Sequence, residues 1–331
     1  MKFLVVGLGS MGKRRIRNLI ANGEKDIIGF DIREDRRKES EEKYNIATFD
    51  SLDKAFEGNK VDAFIISVPP DKHMKYTNIA LTNDIHCFIE ASVTDEGMLE
   101  LIKKSKNKAN IKICPSCTLR FHPSIKLIKS LISDGKIGEV SNFSYHSGQY
   151  LPDWHPWENI TDFYVSKKET GGCREIVPFE LTWLNWIFGK VEKVYGLNSK
   201  TIELGVDIDD VYASVLKYEN NILGTLLVDV VSRCAIRRLI INGDKGQIQW
   251  DWSKKVVDFY CVEEDRWIHY DEPKGRAEVG YNENIIEEMY VEEIERFIYA
   301  IKGRADFPNT LENDFQILQN LYEMEKNSGR R

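Results

Sequence analysis

The sequence predicts two folds in series: an α/β domain built on a parallel sheet, then an α+β domain with a largely antiparallel open sheet. Three observations predict this. A glycine-rich turn separates an apolar strand from a basic helix at the start of the chain. Short, wholly apolar runs then alternate with helical patterns roughly every 20–30 residues, the mark of a parallel sheet covered on both faces. Past about residue 120, strand signals gather between 191 and 262 and pair across polar turns. At 331 residues the chain exceeds one comfortable core and suits two domains, 1–120 and 121–331, with the last helix free to pack back on the first.

Taken in order, Lys2 to Gly7 is a short strand, GLGSMG the turn, and Lys13 to Ala21 a basic amphipathic helix. Ile27 to Asp31 is a second strand closing on an acid, and Ser51 is a suitable N-cap for LDKAFEG. Val61 to Ser67 is another buried-type strand, stopped by Pro69 and Pro70. A helix opens at about Asp71, IHCFIE is a strand, Thr94 to Lys106 a helix, and Ile111 to Cys114 a strand. Pro123 to Ser133 then reads as a helix, Asp134-Gly135 as a turn and Val140 to Tyr145 as a strand. Gly148 to Thr170 is aromatic and polar, an irregular loop in expectation, and 174–188 a buried helix ended by Gly189. Hairpins are expected to turn at Asn220-Asn221 and between Gly243 and Gly246. Asn282 to Ile301 has a one-face apolar spacing, and Asn309 with Glu312 forms a candidate capping box before a last apolar face at Leu311, Phe315, Leu318 and Tyr322.

Composition narrows the partners. Hydrophobic residues at 42% with charged residues at 30% describe a globular chain, not a disordered one. A net charge of -7, from 46 basic and 53 acidic residues, argues against a nucleic-acid or anionic-membrane partner and leaves room for a local phosphate pocket. No run is long and apolar enough to cross a bilayer, and with no secretory segment the cytoplasm is the expected location. Six cysteines are too sparse for a disulfide scaffold. Cys114 and Cys117 follow a strand without opening a helix, and no second cluster completes a zinc set, so they read as core or loop residues and no metal is expected.

The turn Gly7-Leu8-Gly9-Ser10-Met11-Gly12 gives the chemistry its first foothold. Gly7 permits the tight turn, Gly9 lets backbone approach a pyrophosphate, and Gly12 lets helix pack on strand. The helix start beside Ser10 and Met11 offers free N–H groups to phosphate, the mark of a Rossmann domain. Asp31, 19 residues beyond Gly12 at the end of the second strand, suits hydrogen bonds from both adenosine ribose hydroxyls. It repels a 2′-phosphate, although Arg33, Arg36 and Arg37 nearby could recruit one; NAD is favoured over NADP.

From here nearly the whole chain resembles the glucose–fructose oxidoreductase / inositol dehydrogenase (Gfo/Idh/MocA-like) family. SVPPDKH (67–73) is similar to its strand-end motif near the nicotinamide, which implies Ser67, Pro69 and His73 on the cofactor side. CTLRFHP (117–123), DGKIGEV (134–140), GVDIDD (205–210) and INGDKGQIQWD (241–251) resemble later stations. QYLPDWHPWE (149–158) is like a subgroup acting on sugars or sugar nucleotides of bacterial surface polysaccharides. The resemblance also implies a homo-oligomer, for which strands 222–231 and 236–241 suit an interface. Two departures stand out. Where the family has Glu-Lys-Pro, this chain has Glu90-Ala91-Ser92, keeping the glutamate and losing the lysine beside the substrate. Counting back from Trp-Ile-Phe-Gly (186–189), the family's catalytic histidine falls on Phe179 and its preceding aspartate near Ile176.

Oxidising a carbinol needs a group that removes the hydroxyl proton, and neither phenylalanine nor alanine can. The candidates to replace them are His155 in the aromatic loop and Glu175 and Glu180, which interrupt an apolar helix where an ionised carboxylate needs a partner or a raised pKa. Arg174 is a potential partner for one of them. Arg120, Tyr150, Asp153, Trp154 and Tyr164 are the candidate substrate contacts, and Arg233, Arg237 and Arg238 either reach a substrate phosphate or lie on the solvated sheet face. The leading expectation is NAD-dependent redox chemistry on a sugar, sugar phosphate or nucleotide sugar in surface-glycan biosynthesis. The alternatives are a non-catalytic NAD(H)-binding regulator or scaffold, and a transient-redox epimerase or lyase.

Overall fold

The computed structural model describes residues 1–154, 159–162, 164–273, 275 and 285–326. The chain forms two compact units: Met1–Thr118 joined by Glu288–Phe315, and Leu119–Glu287 joined by the chain from Gln316 onward.

The first unit is a parallel sheet of six strands, β1 (Phe3–Val6), β2 (Ile27–Phe30), β3 (Ala47–Phe49), β4 (Ala63–Ile66), β5 (His86–Ile89) and β6 (Ile113–Pro115). They lie in the order β3-β2-β1-β4-β5-β6 and every neighbouring pair is parallel. β1 and β4 are buried along their whole length, as unbroken apolar runs require. The connecting helices are α1 (Ser10–Ala21), α2 (Glu34–Tyr44), α3 (Leu52–Phe56), α4 (His73–Thr82) and α5 (Met98–Ser105). Ser51 caps α3 as expected, its hydroxyl accepting from Lys54 N at 3.3 Å. α2 has no counterpart in the sequence reading, because EDRRKESEEKY buries only Ser40 and shows no apolar stripe. The helix Glu287–Ile301, α8 in chain order, returns to this unit and sets Ile294, Phe297 and Ile298 in one core with Phe3, Val5, Ile16, Ile65 and Phe88.

In the second unit α6 (Pro123–Ser133) and α7 (Cys173–Phe188) accompany eight strands: β7 (Val140–Tyr150), β8 (Val191–Ser199), β9 (Val211–Tyr218), β10 (Leu223–Asp229), β11 (Val231–Gly243), β12 (Gly246–Asp251), β13 (Val256–Cys261) and β14 (Arg266–Asp271). Their order is β14-β13-β12-β11-β7-β10-β9-β8, and only β7 and β10 run parallel. β7 continues five residues past its expected end, to Tyr150, because β10 and β11 flank it on both edges. The tight passage at Gly148 explains the polar residues there, since a side chain would strike Ser232, Asp229 and Ile236. One face of the sheet packs on α7 through Phe143 stacked on Phe188 at 4.2 Å and Tyr145 edge-on to Trp183 at 5.0 Å. Leu239 and Ile241 of β11 are buried in the core, while Ile236 and Ile240 are half-buried.

The last helix, α9 (Leu311–Lys326), buries Ile317, Leu318, Leu321 and Met324. Its cap is Thr310, whose hydroxyl accepts from Asn313 N at 3.2 Å, so the capping box at Asn309 does not form. Asn309 lies one residue too early and instead donates to Asp314 at 2.8 Å. No helix among the described residues is long and apolar enough to cross a membrane.

Candidate functional site

The glycine turn is built as a phosphate cradle demands. Gly7 holds φ +93°, and a side chain there would meet the Ser67 carbonyl at 2.6 Å. A side chain at Gly12 would collide with the Gly7 carbonyl itself. The first helical bond of α1 runs from Lys13 N to Gly9 O at 3.0 Å, so the N–H groups of Ser10, Met11 and Gly12 fall outside the helix ladder. Asp31 is buried under this turn, accepting from Leu8 N and Arg33 N at 2.8 Å each. Each of its oxygens keeps lone-pair capacity for a sugar hydroxyl. Arg36 Nη1 stands 3.8 Å from Asp31 and beside Gly9, while Arg37 donates to the Asp31 carbonyl at 2.8 Å. Glycines that no larger residue can replace, helix-start N–H groups outside the helix ladder and a carboxylate at the second strand's end fit a dinucleotide.

Beyond the turn, the Ser67 hydroxyl at the end of β4 donates to Glu90 at the end of β5, 3.1 Å away. Pro69 follows and precedes the short 3-10 turn at Pro70–Lys72. His73 is 1% exposed and bonds the Val68 carbonyl through Nε2 at 2.9 Å, so it braces the Ser67–Pro69 loop from behind. Burial lowers its pKa and keeps it neutral. Glu90 is gripped by Arg15 through two hydrogen bonds of 2.7 and 2.9 Å. The same guanidinium reaches Glu293 of α8 at 2.9 Å. The sequence reading missed Arg15 and Glu293. Glu293 lies on the apolar face of α8 with Met289, Tyr290 and Phe297, which is the signal that exposes it.

In the second unit, α7 separates the two candidate glutamates. Glu180 is fully buried and accepts from Tyr145 and Ser147 hydroxyls, Trp183 Nε1 and Arg237 Nε at 2.7–2.9 Å. Four donors fill both oxygens, so the expectation of Glu180 as a base is corrected: it is one half of a buried ion pair with Arg237. Glu175, in the first turn of α7, is the opposite case. Its Oε1 accepts from Tyr164 at 2.7 Å, while Oε2 is shut off from solvent with no hydrogen-bond partner among the described residues. Arg174 does not pair with either glutamate; it is drawn to Glu325 at 2.7 Å. Burial therefore pushes the Glu175 carboxyl up to about 7, against the opposing pull of the Tyr164 hydrogen bond. Phe179 lies one turn further along the same helix face.

The remaining candidates fall differently. Arg120 is buried and donates through Nε to the Thr182 carbonyl at 3.0 Å, so as a free substrate clamp it is corrected to a brace on α7. Tyr150 carries the Arg233 guanidinium 3.9 Å above its ring, at a four-residue irregularity where Ser232 to Ala235 interrupt the β11–β7 pairing. Asp153 is exposed, and Trp154 has a buried Nε1 with no hydrogen-bond partner among the described residues. Arg238 is exposed and pairs with Asp251 at 3.0 Å. Cys114 and Cys117 are buried and unbridged. His155 lies outside the described residues.

Two family models match the chain: an oxidoreductase family with an NAD-binding Rossmann fold over residues 1–111, and the GFO/IDH/MocA C-terminal domain over residues 125–249. Among curated proteins none matches in sequence. Solved structures share the fold throughout. An oxidoreductase from Agrobacterium radiobacter in complex with NAD+, L-tartaric acid and magnesium superposes with a TM-score of 0.87 at 12% identity, covering 100% of this chain and 96% of that one. Levoglucosan dehydrogenase in complex with NADH gives 0.85 at 16% identity, covering 99% and 96%. The WlbA dehydrogenase from Bordetella pertussis in complex with NADH and UDP-GlcNAcA gives 0.79 at 16%, again covering 99% and 96%. With a glycine turn and a buried carboxylate at the second strand's end on a parallel sheet, a mostly antiparallel sheet after it, and family models matching both halves, the chain belongs to the Gfo/Idh/MocA family and is an NAD(P)-binding oxidoreductase.

Proposed function

We propose that the protein is an NAD-dependent dehydrogenase of a sugar, sugar phosphate or nucleotide sugar, with Glu175 as its proton-transfer group. The carrying observation is the Glu175 carboxyl: half-buried with Oε2 closed off from solvent, bonded by one tyrosine and unpaired with any cation among the described residues, a setting that pushes its pKa up to about 7. That is the value at which a carboxyl can both take and return a proton under neutral conditions. A bound nicotinamide supplies the other half of the chemistry by accepting or giving a hydride. Gly7, Gly9, Gly12 and the start of α1, with Ser10 and Met11, hold the pyrophosphate; Asp31 takes the adenosine ribose and disfavours a 2′-phosphate. Ser67, Pro69 and Glu90 line the nicotinamide half, with His73 behind them. Glu175 takes the carbinol proton as the hydroxyl becomes a carbonyl, and Tyr164 keeps its Oε1 aimed.

Tyr150, Trp154 and Tyr164 supply aromatic and hydroxyl surface of the kind sugars pack against, and Arg233 above Tyr150 adds a cation for a phosphate. The Bordetella pertussis neighbour's bound UDP-GlcNAcA supports a nucleotide-sugar substrate, and the resemblance of 149–158 extends the proposal to surface-glycan biosynthesis. The test is NADH formation by the purified protein against a panel of UDP-, GDP- and CMP-sugars and sugar phosphates. Turnover with one of them, lost in Glu175→Gln, supports the reading. Conversion of a sugar without free NADH would move the assignment to a transient-redox epimerase or lyase. NAD+ binding with no conversion of any panel member would favour a non-catalytic role, in keeping with the loss of lysine at Ala91 and histidine at Phe179.

A further inference from the structure

The Arg15 guanidinium is wholly buried between two carboxylates, Glu90 at 2.7 Å and Glu293 at 2.9 Å, and lies 4.5 Å over the Phe88 ring. Of the three charged groups only Glu90 keeps an exposed edge, at 14% of its side chain. Glu293 is closed off by Ser116 Oγ, Cys117 N and Thr118 Oγ1 at 2.6–3.0 Å, the last residues before the chain leaves this unit. Glu90 in turn receives the Ser67 hydroxyl. One guanidinium held between two carboxylates is a costly thing to bury for packing alone, since apolar residues of similar volume would do that work as well.

We propose that Arg15 and Glu293 are positioning residues of the cofactor site, fixing the aim and charge of Glu90 and thereby setting whether oxidised or reduced dinucleotide binds more tightly. The inference rests on the reading that the ends of β4 and β5 face the nicotinamide. The physical ground is simple. The oxidised ring carries a positive charge and the reduced ring carries none, while the adenosine half is the same in both. A charge held near the ring therefore separates the two forms and leaves the rest of the molecule untouched. The bidentate grip keeps Glu90 from swinging toward or away from the ring, and a fork of this geometry is something arginine supplies and lysine does not. Burial works against the Arg15 charge, yet Glu90 and Glu293 outweigh it, so the guanidinium stays charged at every working pH.

The experiment measures three dissociation constants, for NAD+, NADH and ADP-ribose, on the full chain and on Arg15→Met, Arg15→Lys and Glu293→Gln. Removing the cation in Arg15→Met is expected to shift the NAD+/NADH preference toward NAD+ by about threefold or more, with ADP-ribose affinity held within about twofold. Removing an anion in Glu293→Gln is expected to shift it the opposite way, and Arg15→Lys to stay nearest the parent. If Arg15→Met does not fold, the sign of the Glu293→Gln shift decides. Weakening of all three ligands together, with the NAD+/NADH ratio unmoved in every folded variant, would overturn the proposal and leave the triad as scaffolding. Failure of the parent protein to bind ADP-ribose or either dinucleotide is a different result; it would remove the cofactor reading and this inference with it.

Discussion

Glutamine at position 175 keeps the shape of the side chain and its bond from Tyr164 while removing the proton site. Turnover should fall by about two to four orders of magnitude with NAD+ affinity unchanged, read by steady-state rates and dinucleotide titration. In the parent, the oxidation rate should rise with pH through about 7, because the base works only when ionised. The reverse reaction should fall over the same range, because it needs the protonated form. Tyr164→Phe removes the bond that stabilises the ionised carboxylate, so the midpoint of both limbs should move to higher pH. A profile flat across pH 6–8 in both directions would take Glu175 out of the mechanism. Glu180 gives the contrast on the same helix. Arg237→Met strands its carboxylate and should cost about 3–5 kcal/mol of stability by urea unfolding. The rate per folded molecule should hold.

At the level of elements, α6 and the end of β14 meet around a histidine whose chemistry is unusual. His122 is the N-cap residue of α6 without a side-chain cap bond, is 1% exposed and has both ring nitrogens buried without a hydrogen bond among the described residues; Glu272 Oε1 lies 3.7 Å away. Burial, with Arg237 and Lys126 adding to it, lowers its pKa to about 3. Between that value and an unfolded value near 6.5 the unfolded chain binds the proton and the folded chain does not. Stability is therefore full above pH 6.5 and lost as the pH falls toward 3. His122→Gln should flatten that dependence by about one proton, measured as urea unfolding at a series of pH values, whatever it does to stability at pH 7. The sequence made α6 and α7 easy to find, through Pro123 and the apolar run to Gly189, and β1 and β4 through their unbroken apolar residues. It hid α2, which is charged all round, and the three-residue edge strand β3. It raised Glu175 and Glu180 as a pair because both interrupt the same apolar run. Only the packing separates them: Arg237, 57 residues further along, seals one, and Glu325 draws Arg174 away from the other. Arg15 was hidden for the same reason, since a run of basic residues after a glycine turn reads as a solvated face until Glu90 and Glu293 are seen around it.

On the scale of the whole molecule, the open face of the second sheet exposes apolar residues in a patch. Tyr195 and Leu197 of β8 stand beside Val215 and Ala213 of β9 in register, with Leu223 of β10 close by. We propose this patch as a homo-oligomer contact, so Leu197→Asp should lower the mass seen by sedimentation while leaving dinucleotide affinity in place. An unchanged mass in the variant, or a monomeric parent, would dispose of it.

The first unit is made of two stretches of chain separated by residues 119–287, the greater part of the second, and this has a consequence for biosynthesis. Residues 1–118 emerge from the ribosome first, but Ile294, Phe297 and Ile298, which complete their core, come last. Until they arrive, Phe88 and Ile16 lack part of their cover and the Arg15 charge lacks Glu293. The nascent cofactor domain must wait, open, while residues 119–287 are translated. A chain arrested short of α8 should then be protease-sensitive over its first 118 residues, and one extended past Phe315 should be protected there.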